Sequence, residues 1–176
     1  IDIKKQTLSQ ITASGCKPTM DFKGEARCTE LMKWAFNDVL YSENYDKVII
    51  SARWKMGDLE PLLQTIDKLR SRGLKVIVLG PIVEYSQALP RLLAQSSAKE
   101  TLVSSRKYSS IAKIDTKFNA ALVARDVEYH STLNSICTDS ENCITVHDNE
   151  PIQFDYGHLT SKGARLILSQ NNFISL

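Results

Sequence analysis

Several things are missing from this chain of 176 residues, and each absence narrows its chemistry. No apolar run approaches the roughly 20 residues that a bilayer-spanning helix requires. Neither sign of charge dominates. With 22 Lys and Arg against 20 Asp and Glu, the formal net charge of +2 makes no electrostatic case for nucleic acid. The basic residues are scattered, and Lys4-Lys5 and Arg70/Arg72 read as solvated faces rather than phosphate sites. No Cys-x-x-Cys occurs and no His stands at ligand spacing from either cysteine pair, which makes zinc the less favoured reading. No repeat, low-complexity tract or shift in composition marks a boundary, so residues 1–176 are expected to form one domain. No signal peptide is present. Because residue 1 is Ile, the chain is expected to be a processed product or an excised piece, which leaves its destination open.

What is present is ordinary in composition and informative in pattern. Hydrophobic residues make up 43% and charged residues 24%, enough for one well-cored domain at this length. Four cysteines allow three pairings. Cys16 and Cys28 flank a loop-like stretch, and Cys137 and Cys143 bracket the polar turn Thr138-Asp139-Ser140-Glu141-Asn142. The local pairing, Cys16–Cys28 with Cys137–Cys143, staples two loops and fits an oxidising compartment; the alternatives are unpaired thiols or a metal site.

Along the chain, Lys5 to Thr12 alternates weakly and suggests a strand entering a loop at Ala13-Ser14-Gly15. Leu31, Trp34, Ala35 and Val39 make a helical stripe within Glu25 to Ser42. Lys47 to Ala52 is a short apolar run of the kind buried in parallel sheets. Asp58 is placed to cap a helix that buries Leu59, Leu62, Leu63, Ile66 and Leu69 and ends at Gly73. Leu74 to Gly80 is the clearest strand. Glu84 to Lys107 reads as loop with a short helix around Pro90–Gln95. Ile111 to Leu122 forms a third helical stripe, Val127, Tyr129 and Ser131 alternate as a strand, and a last helix follows His158. Strands alternating with amphipathic helices imply βα units and a largely parallel sheet, whose ligand site lies beyond the carboxyl ends of the strands. Gly15, Arg53-Trp54 and Gly80-Pro81 fall there.

The chemistry concentrates in Phe154-Asp155-Tyr156-Gly157-His158-Leu159-Thr160. An Asp three residues before a His can hold one ring nitrogen while the other faces a nucleophile, and Gly157 lets the backbone bend between them. The plainer reading makes Asp155 a turn residue and Thr160 the N-cap of the final helix. His130 and His147 have no partner at motif spacing and read as structural or exposed. Asp139, Asp148 and Glu150 show no paired-carboxylate pattern.

Four segments together resemble the SGNH-hydrolase fold, and more narrowly the SGNH-like domain of membrane-bound acyltransferase-3 proteins, which acetylate bacterial surface polysaccharides such as O-antigen. They are Thr12-Ala13-Ser14-Gly15-Cys16-Lys17-Pro18, Val48-Ile49-Ile50-Ser51-Ala52-Arg53-Trp54, the Cys137 to Cys143 pair, and the block from Phe154 to Ala164. The resemblance implies a three-layer α/β (flavodoxin-like) fold with a mainly parallel sheet. It implies acyl transfer to a polysaccharide through a Ser-His-Asp site, with His158 as base, Asp155 as its orienting acid, and no metal or organic cofactor. The family's Gly-Asp-Ser-His block occurs nowhere in the 176 residues, so the nucleophile and the first strand are expected to lie outside this chain. Gly15 becomes a candidate oxyanion donor, or simply a loop glycine. Arg53-Trp54 stands where standard SGNH hydrolases carry an oxyanion Asn. Trp54 is either a wall for a sugar ring or a core residue at a strand end. Arg53 either pairs with Asp58 or a neighbouring carboxylate, or is plain surface charge. The implied partners are a polysaccharide acceptor and a membrane-embedded acyltransferase domain of the same protein, with no nucleic acid. The implied location is the periplasm, tethered to the inner membrane. A stand-alone carbohydrate esterase or lipase, or a non-catalytic sugar-positioning module, would carry the same residues.

Overall fold

The computed structural model describes residues 8–22, 24–42, 44–95 and 105–170. Its helices are α1 (Ala26–Lys33), α2 (Leu40–Ser42), α3 (Leu59–Arg70), α4 (Leu89–Gln95), α5 (Ser105–Val123) and α6 (Ser161–Gln170). Its strands are β1 (Lys47–Ser51), β2 (Lys75–Leu79), β3 (Glu128–His130), β4 (Val146–His147) and β5 (Glu150–Pro151). Strands β1, β2 and β3 form a parallel sheet in that order, with Ile49 opposite Ile77 and Val78 opposite Tyr129. Parallel neighbours need long crossovers, and α3 and α5 provide them.

The sequence patterns explain these elements. In β2, Val76, Ile77 and Val78 are all buried, so both faces of the central strand are covered. In α3 the expected stripe Leu59, Leu62, Leu63, Ile66 and Leu69 is buried without exception. The helix stops in a Schellman arrangement. Gly73, at φ +82°, donates to the carbonyl of Arg70, and Leu74 donates to that of Leu69. Asp58 behaves differently from a simple cap: its carboxylate turns back to accept the Lys55 amide at 2.7 Å, closing a 3₁₀ turn over Met56–Asp58.

Two other expectations shift. The helix after Glu25 passes through a π-helical stretch at Trp34–Val39, which rotates the apolar face, so Met32, Ala35 and Phe36 are buried while Trp34 points outward. The strand expected from Lys5 to Thr12 is not seen in residues 8–12, which carry no regular structure; residues 5–7 lie outside the described residues. Leu8 is exposed, and among the described residues no strand pairs with this backbone. Among the described residues, β1 pairs along one edge only, and Ile49 is 46% exposed.

A first core cluster joins α1, β1, β2, α3 and α5 around Ile66, Val78 and Phe118. A second lies under the loops after the strands, around Val83, Leu89, Leu133 and Ile152. Behind the end of β2 the buried carboxylate of Asp115 accepts from Tyr129 Oη at 2.7 Å and from Ser131 Oγ at 2.9 Å. Burial, followed by that carboxylate, pushes the Tyr129 phenol pKa up.

Candidate active site

The short hairpin β4–β5 turns at Asp148 and Asn149, both at positive φ, and delivers the chain into the core at Ile152 and Gln153. Gln153 Nε2 donates to the Val83 carbonyl at 3.1 Å. The chain then loops out and returns: Phe154 donates to the His158 carbonyl, and Gln153 bridges to Leu159. The five residues from Phe154 to His158 are thus held up from a rigid base.

Within the loop Asp155 does two jobs. Its Oδ1 accepts the amides of Gly157 at 2.8 Å and His158 at 2.7 Å, forming an Asx-type turn. Its Oδ2 meets His158 Nδ1 at 2.7 Å. Partial burial raises the carboxyl pKa, but the amides of Gly157 and His158 and the His158 ring outweigh it and hold it below its ordinary value. Among the described residues His158 Nε2 has no hydrogen-bond partner, and the side chain is 65% exposed. Phe154 stacks on the imidazole (centroids 5.7 Å, planes 16° apart), and Tyr156 meets it edge-on at 6.2 Å.

Gly157 is not in the left-handed region, and a Cβ there would make only ordinary contact with Glu84 Cγ. The bend therefore comes from the Asp155 carboxylate, not from glycine's conformational freedom. Thr160 caps α6, its Oγ1 accepting the Gly163 amide at 3.2 Å. The turn-and-cap reading and the orienting-acid reading describe the same segment at once.

The segment after β2 braces this loop. Tyr85 donates its amide to the Tyr156 carbonyl at 2.9 Å and Leu89 donates to that of Asp155 at 3.1 Å. Arg53, just past β1, forms a two-pronged ion pair with Glu84: Nε meets Oε1 and Nη2 meets Oε2. The Glu84 hydrogen bond raises the Arg53 pKa against partial burial. Arg53 Nη1 also reaches Tyr156 Oη at 3.2 Å, with the guanidinium 5.1 Å from the ring centre. Of the alternatives for Arg53, the neighbouring carboxylate is the one seen, in Glu84; Asp58 pairs instead with Lys17, at 2.8 Å. Lys17 also donates to the Arg53 carbonyl and lies 5.8 Å from the Trp54 ring, which ties the Gly15 loop to the end of β1.

Trp54 is 3% exposed, donates its indole N–H to the Leu79 carbonyl at 2.7 Å and packs on Phe118. It is a core residue, not an exposed wall for a sugar ring. It borders a cavity of about 180 Å³ shared with Arg53, Pro81, Ile82, Glu84 and Ile111. Gly15 sits at φ +76° with its amide unpaired among the described residues. Cys16–Cys28 and Cys137–Cys143 are both bonded, the local pairing expected. His130 meets Glu128 at 2.9 Å and His147 lies 3.7 Å from Asp148; neither enters the Asp155–His158 loop. Among the described residues no cluster of His, Cys, Asp and Glu suits a metal, and no helix is long and apolar enough to cross a membrane.

Glu84 was not legible as a site residue. It stands 31 positions from Arg53 and only the β1–β2 pairing brings the two loops together. Nothing in a Val-Glu-Tyr stretch signals that.

Comparisons with known proteins bear on the fold and the family. The periplasmic domain of the lipopolysaccharide acetyltransferase of Salmonella ser. Paratyphi A superposes with a TM-score of 0.73 at 19% identity, covering 91% of this chain and 69% of that one. That likeness shows a shared fold. A Bacteroides fragilis protein with a provisional acylhydrolase designation aligns at a TM-score of 0.48 and 13% identity, covering 83% of this chain and 67% of that one. Among curated protein sequences none matches. The family described as the SGNH domain fused to AT3 domains matches residues 3–170, and the chain belongs to that family.

Proposed function

We propose that this chain is the SGNH part of an O-acetyltransferase that moves an acetyl group onto a cell-surface polysaccharide, O-antigen in type. The observation that carries the reading is the 2.7 Å contact from Asp155 Oδ2 to His158 Nδ1, with Nε2 open. A carboxylate on Nδ1 keeps the proton there, so Nε2 presents its lone pair as a base. The serine it activates belongs to a segment outside the described residues. Its oxygen attacks the donor's acyl carbonyl while its proton passes to Nε2. The tetrahedral oxyanion then collapses, the imidazolium returns that proton to the departing group, and an acetyl-serine ester remains. A sugar hydroxyl attacks that ester in turn, giving its proton to Nε2; the second oxyanion collapses, the bond from the acetyl carbon to the serine oxygen breaks, and the imidazolium returns the proton to that oxygen, leaving the sugar acetate and the free serine. The Gly15 amide is the visible oxyanion donor, since no side-chain amide stands at the end of β1.

Family membership supports a membrane-embedded AT3 domain as the acyl source. The periplasm is supported by the location of the Salmonella structural relative and by two disulfides, which persist in oxidising compartments. Hydrolysis is a second reading, favoured by one observation: at 65% exposure His158 is open to water as well as to a sugar. The test is to join this chain to the segment bearing its Gly-Asp-Ser, supply an activated acetyl ester, and compare acetate released with acetyl transferred to a de-O-acetylated oligosaccharide. Transfer that disappears in His158→Ala supports the proposal. Release of acetate alone makes the protein an esterase, and turnover independent of His158 removes both readings.

A further inference from the structure

The aromatic wall that Trp54 does not provide is present elsewhere. Phe154 is 60% exposed and Tyr156 38%, although the residues just before them, Ile152 and Gln153, are fully buried. The loop does not need these rings to hold its shape: Asp155 Oδ1 and the amides of Tyr85 and Leu89 fix its backbone. An exposed Phe154 stacked on a reactive imidazole, with the Arg53-held ring of Tyr156 edge-on to the same imidazole, is a binding feature. We propose that Phe154 and Tyr156 form the acceptor subsite, a platform on which a pyranose ring of the polysaccharide rests. This rests on the reading of His158 as the base for an acceptor hydroxyl.

The chemistry fits a sugar. An aromatic face carries negative charge density, and the axial C–H bonds of a pyranose carry slight positive charge, so the two surfaces attract beyond simple area burial. A pyranose also has a rim of hydroxyls that needs donors and acceptors. Next to Tyr156 stand Arg53, 58% exposed, and the Glu84 carboxylate, a fixed donor–acceptor pair. An acyl chain would gain nothing from that pair and would favour an enclosed apolar site. The distances fit as well. Phe154 lies 5.7 Å and Tyr156 6.2 Å from the imidazole, centroid to centroid. Those separations are about the width of one pyranose, so a sugar seated beside either ring would lie next to the imidazole, whose Nε2 must come to about 3 Å from the proton it takes.

The test needs no turnover. A de-O-acetylated O-antigen-type oligosaccharide is titrated into the 176-residue chain while the aromatic ring signals are followed by NMR, with sorbitol and octanoate as controls. Saturable shifts of the Phe154, Tyr156 and His158 rings are expected with the oligosaccharide only. Phe154→Ala should weaken binding about tenfold and Phe154→Trp should retain it. Should the alanine variant not fold, Phe154→Leu keeps the apolar bulk without the ring and carries the same expectation. Absence of saturable shifts, wild-type affinity in the alanine or leucine variant, or saturation by octanoate in place of the sugar overturns the subsite. Sugar binding that persists in a protein without acyl transfer sinks the catalytic reading and keeps the platform; acyl transfer without binding at these rings does the reverse.

Discussion

Asp155 divides its carboxylate between structure and chemistry. One oxygen shapes the turn by accepting two amides, while the other holds the imidazole. Asp155→Asn is therefore expected to act twice. The amide can present its N–H to Nδ1, which favours the wrong tautomer, so the rate of serine acylation should fall by about 10³–10⁴-fold with little change in substrate binding. Stability should respond in a pH-dependent way. The folded protein lowers the Asp155 pKa below its ordinary 3.8, so the ionised carboxylate stabilises the fold above that value. That contribution disappears as pH falls through the depressed value. Denaturant melts of wild type and Asp155→Asn should thus differ at neutral pH and converge in acid; a difference constant with pH would contradict the assignment.

Among the elements, the α6 N-terminus and the 154–158 loop use glycine in opposite ways. At Gly163 a Cβ would be driven into the carbonyl oxygen of Ile152, a backbone atom in the buried second cluster. Gly163→Ala should cost about 2–3 kcal/mol, read from the shift in denaturation midpoint, because α6 must move off the loop base. Gly157→Ala has room and no left-handed φ to lose, so it should fold within about 0.5 kcal/mol of wild type and keep its activity. A severe loss there would mean that glycine, not the Asp155 carboxylate, sets the bend.

The contrast also shows what could be read from residues alone. Asp155 and His158 were legible because their contact spans three positions and one turn. The α3 stripe was legible because its period is local. The direction of Trp54 was not, since a tryptophan at a strand end suits a pocket and a core equally, and the burial of its N–H on Leu79 depends on the neighbouring strand. Likewise the π-helical stretch at Trp34–Val39 adds a rotation that a regular 3.6 period misses.

At the scale of the whole molecule, the Gly15 loop, the ends of β1 and β2, and the Asp155 loop converge through Lys17, Arg53 and Tyr156. The Cys16–Cys28 bond anchors the Gly15 loop to the buried side of α1. Replacing both cysteines by alanine should lower stability by about 3 kcal/mol on chain-entropy grounds and loosen the Gly15 amide, detectable as faster amide exchange from Ser14 to Lys17. An unchanged exchange pattern would detach that staple from the site.

The most direct measurement is labelling with a fluorophosphonate, which loses fluoride fastest to an activated serine oxygen. It is applied to the protein joined to its Gly-Asp-Ser segment, with the site located by mass spectrometry. One labelled serine within that segment is expected, with labelling slowed at least about 100-fold in His158→Ala. Labelling at an unchanged rate in that variant, or at no serine at all, would contradict the account.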